Sequence, residues 1–296
     1  MKGIVLAGGT GSRLFPLTKI TNKHLLPIYD KPMIFYPIQA LVDAGIRDIL
    51  LVTGGRNSGD FLRLLANGKE FGLAHLNYTY QEGEGGIADA LALAEHFADG
   101  EKICVILGDN IIQGSIKAAV QAFEKQERGA RILLKEVHDA GRFGVAELAG
   151  DRILGIEEKP AKPKSNYAVT GLYFYDGRAS EFAKTLKPSH RGELEITALN
   201  QVYLDAGELN VELLGRGFAW LDTGTHDSLI QAGEFIRAVE QRQGLRIGCL
   251  EEIAFRRGWI DAQQLRKAAD VLAKSEYGQY LRELAEQPLN ASDAID

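Results

Sequence analysis

The sequence predicts an α/β protein, with a mostly parallel sheet flanked by helices and a helical C-terminal region. Short apolar runs alternate with amphipathic stretches through the first half, a glycine-rich segment follows the first run, and no strand-like run follows Thr225. Such alternation produces right-handed βαβ units. Sheets of this kind bind ligands beyond the carboxyl ends of their strands, so the loops after Leu6 and Leu107 carry most interest.

Taken in order, Gly3–Ala7, Asp48–Thr53, Leu76–Tyr80, Ile103–Leu107 and Arg131–Val137 read as strands. Pro37–Ala44 reads as a helix stopped by Gly45, and Ile116–Phe123 as another. Ile87, Leu91, Ala94 and Phe97 share a face at helical spacing, so one helix is expected over Ile87–Phe97. From Phe143 the chain becomes strand-rich, with Val145–Leu148, Ile153–Glu157 and Val169–Tyr175 as candidates, and a helix is expected over Glu195–Leu204. The tail predicts helices at His226–Gln241, Asp261–Ala273 and Tyr277–Glu286, with Leu289–Asp296 fraying.

The chain has 296 residues, 45% of them hydrophobic, enough for one large or two modest domains. A net charge of -6 argues against a dedicated nucleic-acid binder. No apolar run approaches the length of a membrane span and no signal peptide is visible, so a cytoplasmic protein is expected. Cys104 and Cys249 stand apart without a CxxC partner, which disfavours a disulfide framework or a structural zinc site.

The opening Leu6-Ala7-Gly8-Gly9-Thr10-Gly11-Ser12-Arg13 runs from a strand into three glycines and an arginine. Glycines let backbone N–H groups approach an anion, and Arg13 adds a donor fork suited to phosphate. Lys23 can neutralise further charge. A plain turn with Arg13 as a solvated charge is the alternative. A P-loop would need Gly-Lys-Ser/Thr, and a dinucleotide fingerprint a third glycine where Arg13 and Leu14 stand; neither is present.

Asp109, in Leu107-Gly108-Asp109-Asn110, ends an apolar strand, and a second carboxylate stands far downstream in Trp220-Leu221-Asp222-Thr223. Together Asp109 and Asp222 would supply the oxygen ligands Mg2+ prefers, although either alone also suits a turn or a helix cap. In Glu157-Glu158-Lys159-Pro160, Lys159 suits a sugar phosphate and Glu158 a pair of sugar hydroxyls; an exposed charge cluster is the other reading. Gln81 precedes a glycine-rich turn and can pair with the imide edge of thymine or uracil.

The glycine-rich opening, followed by Lys23-His24-Leu25-Leu26-Pro27-Ile28-Tyr29-Asp30-Lys31-Pro32-Met33, resembles sugar 1-phosphate nucleotidyltransferases, and within them the glucose-1-phosphate thymidylyltransferases. The tail, including Glu251-Glu252-Ile253-Ala254-Phe255-Arg256-Arg257-Gly258 and Tyr277-Gly278-Gln279-Tyr280-Leu281, is similar too, so the resemblance spans essentially the whole chain. It implies the Rossmann-like fold of nucleotide-diphospho-sugar transferases. The expected division is a nucleotidyltransferase core over 1–225, its nucleotide part over 1–137 and its sugar-phosphate part over 138–225, then a helical region over 226–296.

The implied activity is Mg2+-dependent transfer of a thymidylyl group from dTTP to glucose 1-phosphate, releasing pyrophosphate. Arg13, Lys23 and Asp109 would be catalytic. Leu6, Gly8, Gly9, Gly11, Ser12, Arg13, Lys23, Gln81, Gly86 and Asp109 would bind the nucleotide. Asn110, Gly144, Glu158, Lys159, Val169, Thr170 and Arg191 would bind the sugar phosphate, and Asp109 and Asp222 the metal. Arg191 can equally form an ion pair with Glu193. A homotetramer with feedback inhibition by dTDP-rhamnose is also implied.

The sequence departs from the family pattern at His24 (usually glutamine), Phe143 (usually tyrosine), Ala198 (usually aspartate) and Asp89 (usually glutamine). The prolines usual after the glutamine are missing, and Glu82 and Glu84 bring extra negative charge. A related enzyme using UTP or another sugar phosphate is therefore an alternative. A catalytically silent nucleotide-sugar sensor would have lost Arg13, Lys23, Asp109 or Asp222, all of which are present. A nicotinamide oxidoreductase fits the opening less well.

Overall fold

Nine strands form one central sheet in the computed structural model, which describes residues 1–55, 57–150 and 152–287. The expectation of fraying at Leu289–Asp296 falls outside the described residues. The first half runs β1 (Lys2–Ala7), the short strands β2 (Pro27–Ile28) and β3 (Lys31–Pro32), α1 (Phe35–Asp43), β4 (Asp48–Gly54), α2 (Ser58–Leu65) and β5 (His75–Gln81). It continues through α3 (Ile87–Leu93), α4 (Glu95–Ala98), β6 (Ile103–Leu107), β7 (Asn110–Gln113), α5 (Lys117–Lys125) and β8 (Ala130–Glu136). Then come β9 (Gly144–Ala149), β10 (Arg152–Glu158), β11 (Tyr167–Tyr175), α6 (Ala179–Thr185), α7 (Ile196–Asp205), β12 (Leu209–Leu213) and β13 (Ala219–Asp222). The tail holds α8 (His226–Gln243), α9 (Leu250–Arg256), α10 (Ala262–Val271) and α11 (Glu276–Glu286).

Strands β6, β1, β4 and β5 lie side by side and parallel, as the βαβ pattern predicts. The sheet then turns mixed: β11 pairs antiparallel with β6, β8 and β9, and β12 joins β8 in parallel. Side-chain alternation along β1 separates two cores. Val5 and Ala7 join Ile38, Leu41, Leu51, Phe61 and Cys104 on one face. Ile4 and Leu6 join Val52, Leu91, Val105, Tyr173 and Tyr203 on the other. Each fully buried aliphatic side chain contributes roughly 1.5–3 kcal/mol, so covering both faces fixes the register of these strands.

The helical tail is packed onto this body. Ala232 and Ile236 of α8 are buried with Ile28, Met33, Tyr36 and Ile111. Helices α10 and α11 share a small core of Leu265, Ala269, Leu281 and Leu284 with Phe255 of α9. Asp261 stands just before α10, because its carboxylate accepts from the Gln264 N–H at 2.8 Å and caps it. The helix expected over Ile87–Phe97 is two, α3 and α4, divided at Ala94, whose ψ of 0° leaves the helical path. Among the described residues no helix is long and apolar enough to cross a membrane.

One buried charge ties β11 to α7. Asp176 is 5% exposed and accepts from the Gly129 N–H at 2.6 Å, the Tyr203 hydroxyl at 2.9 Å and Arg178 Nε at 3.0 Å. Burial raises its carboxyl pKa, but the hydrogen bonds from Arg178, Gly129 and Tyr203 outweigh burial and hold it below the usual value. A depressed folded-state pKa stabilises the fold above the unfolded value, and that stabilisation is lost as pH falls through the folded one. Asp176→Ala is therefore expected to cost roughly 3 kcal/mol at neutral pH in denaturant unfolding, the gap from wild type narrowing below about pH 4. Lys184→Ala, which removes an exposed pair with Glu95, should leave the denaturant midpoint close to that of wild type.

Candidate active site

The carboxyl ends of β1, β5 and β6 open into one cleft of 440 Å³. Leu6 of β1 is in register with Leu107 of β6, and the Gly108 N–H donates to the Leu6 carbonyl at 2.8 Å, so the loops that follow leave the sheet together. Gln81 ends β5 in register with Gly54 of β4. The glycine-rich loop, Asp109 and Gln81 therefore meet at one edge although the chain separates them widely.

Gly11 takes a left-handed conformation (φ 61°), which a residue with a Cβ adopts only at a cost. It caps the single turn Ser12–Leu14 that carries Arg13, and the Thr18 hydroxyl donates to its carbonyl at 2.7 Å. Across the loop, Thr10 Oγ1 donates to Glu84 at 2.6 Å. Lys23 Nζ donates to Asp109 Oδ2 at 2.6 Å, and Asn110 Nδ2 to Asp109 Oδ1 at 3.0 Å. Asp109 is 8% exposed. Burial pushes its carboxyl pKa up, but the charge of Lys23 and the hydrogen bonds of Lys23 and Asn110 outweigh burial and keep the group ionised.

The downstream carboxylate arrives through β13, which pairs antiparallel with β7 so that Asp222 lies opposite Asn110. Thr223 fastens the join: its N–H and Oγ1 donate to the Asp109 carbonyl at 3.1 and 2.8 Å. The Asp222 pKa is raised by burial and by the charge of Asp109, against the pull of Arg142, Lys23 and Arg13. The two carboxylates thus lie close enough to repel one another. Among the described residues no cluster of three or more His, Cys, Asp or Glu forms a metal cage. Two carboxylates with open space beside them fit Mg2+, which draws its remaining oxygen ligands from phosphate and water.

On the far wall, Glu158 Oε2 accepts from Thr197 Oγ1 at 2.5 Å, while Lys159 Nζ lies 3.4 Å from Glu158 Oε1. Arg191 binds both oxygens of Glu193 at 2.8 and 2.9 Å while it lines the cleft. Leu6, Gly8, Gly9, Ser12, Gly86, Asn110, Gly144 and Val169 also line it. Thr170 does not: it is fully buried and its hydroxyl donates to the Leu133 carbonyl at 2.9 Å, because alternation on β11 turns its neighbours Val169 and Gly171 toward the cleft. Sequence reasoning also passed over Arg142, whose Nη2 lies 3.2 Å from Asp222 Oδ2. A basic residue directly before Phe143-Gly144 was the available signal.

Residues 2–239 match the nucleotidyl transferase family. The chain belongs to that family. Within it, the chain is 51% identical to a glucose-1-phosphate thymidylyltransferase of Neisseria meningitidis, over 96% of this chain and 99% of the relative. It is 48% identical to the enzyme of that name from Mycobacterium tuberculosis, over 97% of this chain and all of that one. A crystallised candidate glucose-1-phosphate thymidylyltransferase from Bacillus anthracis, in complex with a sucrose, superposes with a TM-score of 0.76 at 48% identity, over 80% of this chain and 95% of that one. A UDP-glucose pyrophosphorylase bound to UDP-glucose shares the fold (TM-score 0.70, 24% identity) over 80% of this chain and 98% of that one. The chain is thus a nucleotidyltransferase with a Rossmann-like fold.

Trp220 connects these parts. Its indole Nε1 donates to Asn110 Oδ1 at 2.5 Å and its ring packs on Phe143 at 4.8 Å between centroids. Trp220→Phe should preserve the ring contact and remove the donor. The expected result is a roughly 3–10-fold lower kcat/KM in a steady-state assay, from the loss of one hydrogen bond, with an unfolding midpoint close to wild type.

Proposed function

We propose that this nucleotidyltransferase joins dTTP and glucose 1-phosphate to give dTDP-glucose and pyrophosphate. The observation that carries the reading is the meeting of Lys23, Asp109 and Asp222 in the cleft that also holds the glycine-rich loop and Lys159. Near-full-length identity to thymidylyltransferases supports the choice of substrates.

On this reading the loop from Gly8 to Ser12, with Leu6 beneath it and Arg13 beside it, receives the triphosphate, and Gln81 and Gly86 face the base. Lys159 and Arg191 hold the sugar phosphate; Glu158, Asn110, Gly144 and Val169 face the sugar. A phosphate oxygen is a competent nucleophile at neutral pH, so no covalent enzyme intermediate is needed. The sugar phosphate attacks the α-phosphorus in line and pyrophosphate leaves from the opposite side. The protein must hold two mutually repelling anions in contact, and Arg13 and Lys23 offset the charge gathering on the leaving group. Asp109 and Asp222 would hold Mg2+, which supplies further charge neutralisation when bound.

The helical region from 226 on is assigned to assembly. A homotetramer inhibited by dTDP-rhamnose and working in the cytoplasm completes the proposal.

A panel of triphosphates and sugar phosphates with pyrophosphate detection tests the reaction. Turnover should require dTTP with glucose 1-phosphate and stop on addition of EDTA; full turnover with a different sugar phosphate alone would reject the sugar assignment. Asp109→Asn is expected to lower kcat by roughly 10²–10³-fold. Lys159→Ala should instead raise the KM for the sugar phosphate, with a smaller effect on that for dTTP. Equal rises in both would show that Lys159 does not distinguish the two anions.

A further inference from the structure

Gln81 has one amide orientation open to it, and Asp89 and the Gly86 carbonyl set that orientation together. Nε2 of Gln81 donates to the Gly86 carbonyl at 2.9 Å and to Asp89 Oδ2 at 2.7 Å. Both hydrogens of the NH2 group are thereby used. Neither partner can donate in return, since one is a carbonyl and the other a carboxylate. A flipped amide would bring Oε1 against two oxygens and leave both without a donor. The cleft-facing atom is therefore Oε1, directed at Gly8, where an added Cβ would lie 2.8 Å from it. Gly85 makes the arrangement possible: a Cβ there would collide with the Asp89 carboxylate.

We propose that Asp89 is a positioning residue for base selection, because it locks Gln81 as a pure acceptor toward the base. This rests on the reading in which Gln81 faces the base of the triphosphate. A lone acceptor matches a ring N–H. Thymine and uracil present one at N3, and guanine at N1. Cytosine N3 and adenine N1 carry a lone pair at the corresponding place and would meet Oε1 with repulsion. An amide free to rotate would serve either kind, by turning NH2 toward the ring nitrogen. Selectivity for bases with a ring N–H thus depends on a residue that does not line the cleft itself.

Asp89→Asn tests the proposal, because an asparagine can donate to Oε1 as well as accept from Nε2 and so removes the carboxylate's part of the bias, leaving the Gly86 carbonyl alone to hold the amide. The ratio of kcat/KM for dTTP over dCTP is expected to fall about tenfold, the range set by an unmet buried polar group, mainly through a gain with dCTP. Gly85→Ala displaces the same carboxylate by another route and should shift the ratio in the same direction. The ratio of dTTP to dCTP affinity, read by calorimetry on the full-length protein, should move in parallel. An unchanged ratio in both folded variants overturns the proposal, as does an equal loss across dTTP, UTP, dGTP, dCTP and dATP, which marks a purely structural role. The affinity ratio is read without any sugar phosphate. Selective binding with no transfer to any sugar phosphate would thus reject the proposed reaction and leave the role of Asp89 standing.

Discussion

A four-residue antiparallel pairing between β13 and β7 holds the site together. The glycine-rich loop, Gln81 and Asp109 follow the parallel strands and the opposite wall comes from β9, β10 and β11, whereas Asp222 comes from a segment more than a hundred residues beyond Asp109. Register decides whether that distant carboxylate reaches the cleft: a slip of one residue would turn Asp222 to the other face of its strand. Thr223 prevents the slip with two bonds to the Asp109 carbonyl, and α8 packs on β13 from outside. The second nucleotidyltransferase carboxylate is thus positioned by backbone geometry, and the first by the strand end on which it stands.

Charge is arranged inside this frame in a way that net composition conceals. The chain carries -6 overall, yet the cleft gathers Arg13, Lys23, Arg142, Lys159 and Arg191. Four of them already face carboxylates: Lys23 with Asp109, Arg142 with Asp222, Lys159 with Glu158, and Arg191 with Glu193. Partnering keeps the cations ordered, and their side chains stay in reach of the open cleft. A phosphate oxygen arriving beside such a pair meets a donor whose position is fixed, and this reduces the ordering that binding would otherwise require.

The parallel half of the fold was legible because its strands are buried on both faces and read as continuous apolar runs, as in Ile103–Leu107. Elements without such runs escaped notice. β13 is short, follows Gly215 and Gly217, and is only partly buried along its length. α2 opens with Ser58-Gly59-Asp60 and shows its periodicity only through Phe61 and Leu65. β12 alternates Leu209, Val211 and Leu213, a signal that was present and unused. At the site, Gly8, Arg13 and Asp109 could be picked out because their residue types follow strand ends. The pairing of Arg142 with Asp222 could not, since it joins residues eighty positions apart across β9 to β13.

Two of the departures from the family pattern, His24 and Phe143, are accommodated without added charge. His24 is buried against Asn22, and burial together with Lys23 lowers its pKa to about 3, so it adds no charge beside Asp109. Phe143 has no hydroxyl but keeps its ring on Trp220 beneath Arg142. Glu84 does add charge, and its carboxylate is met by Thr10 at the rim. The cations and carboxylates that line the cleft are held in pairs, while Phe143 and Glu84 stand beside them. Transfer between phosphates depends on the charged set. On the proposed reading, choice between thymine and uracil rests on a single methyl contact, which is worth about 1–3 kcal/mol in an apolar pocket.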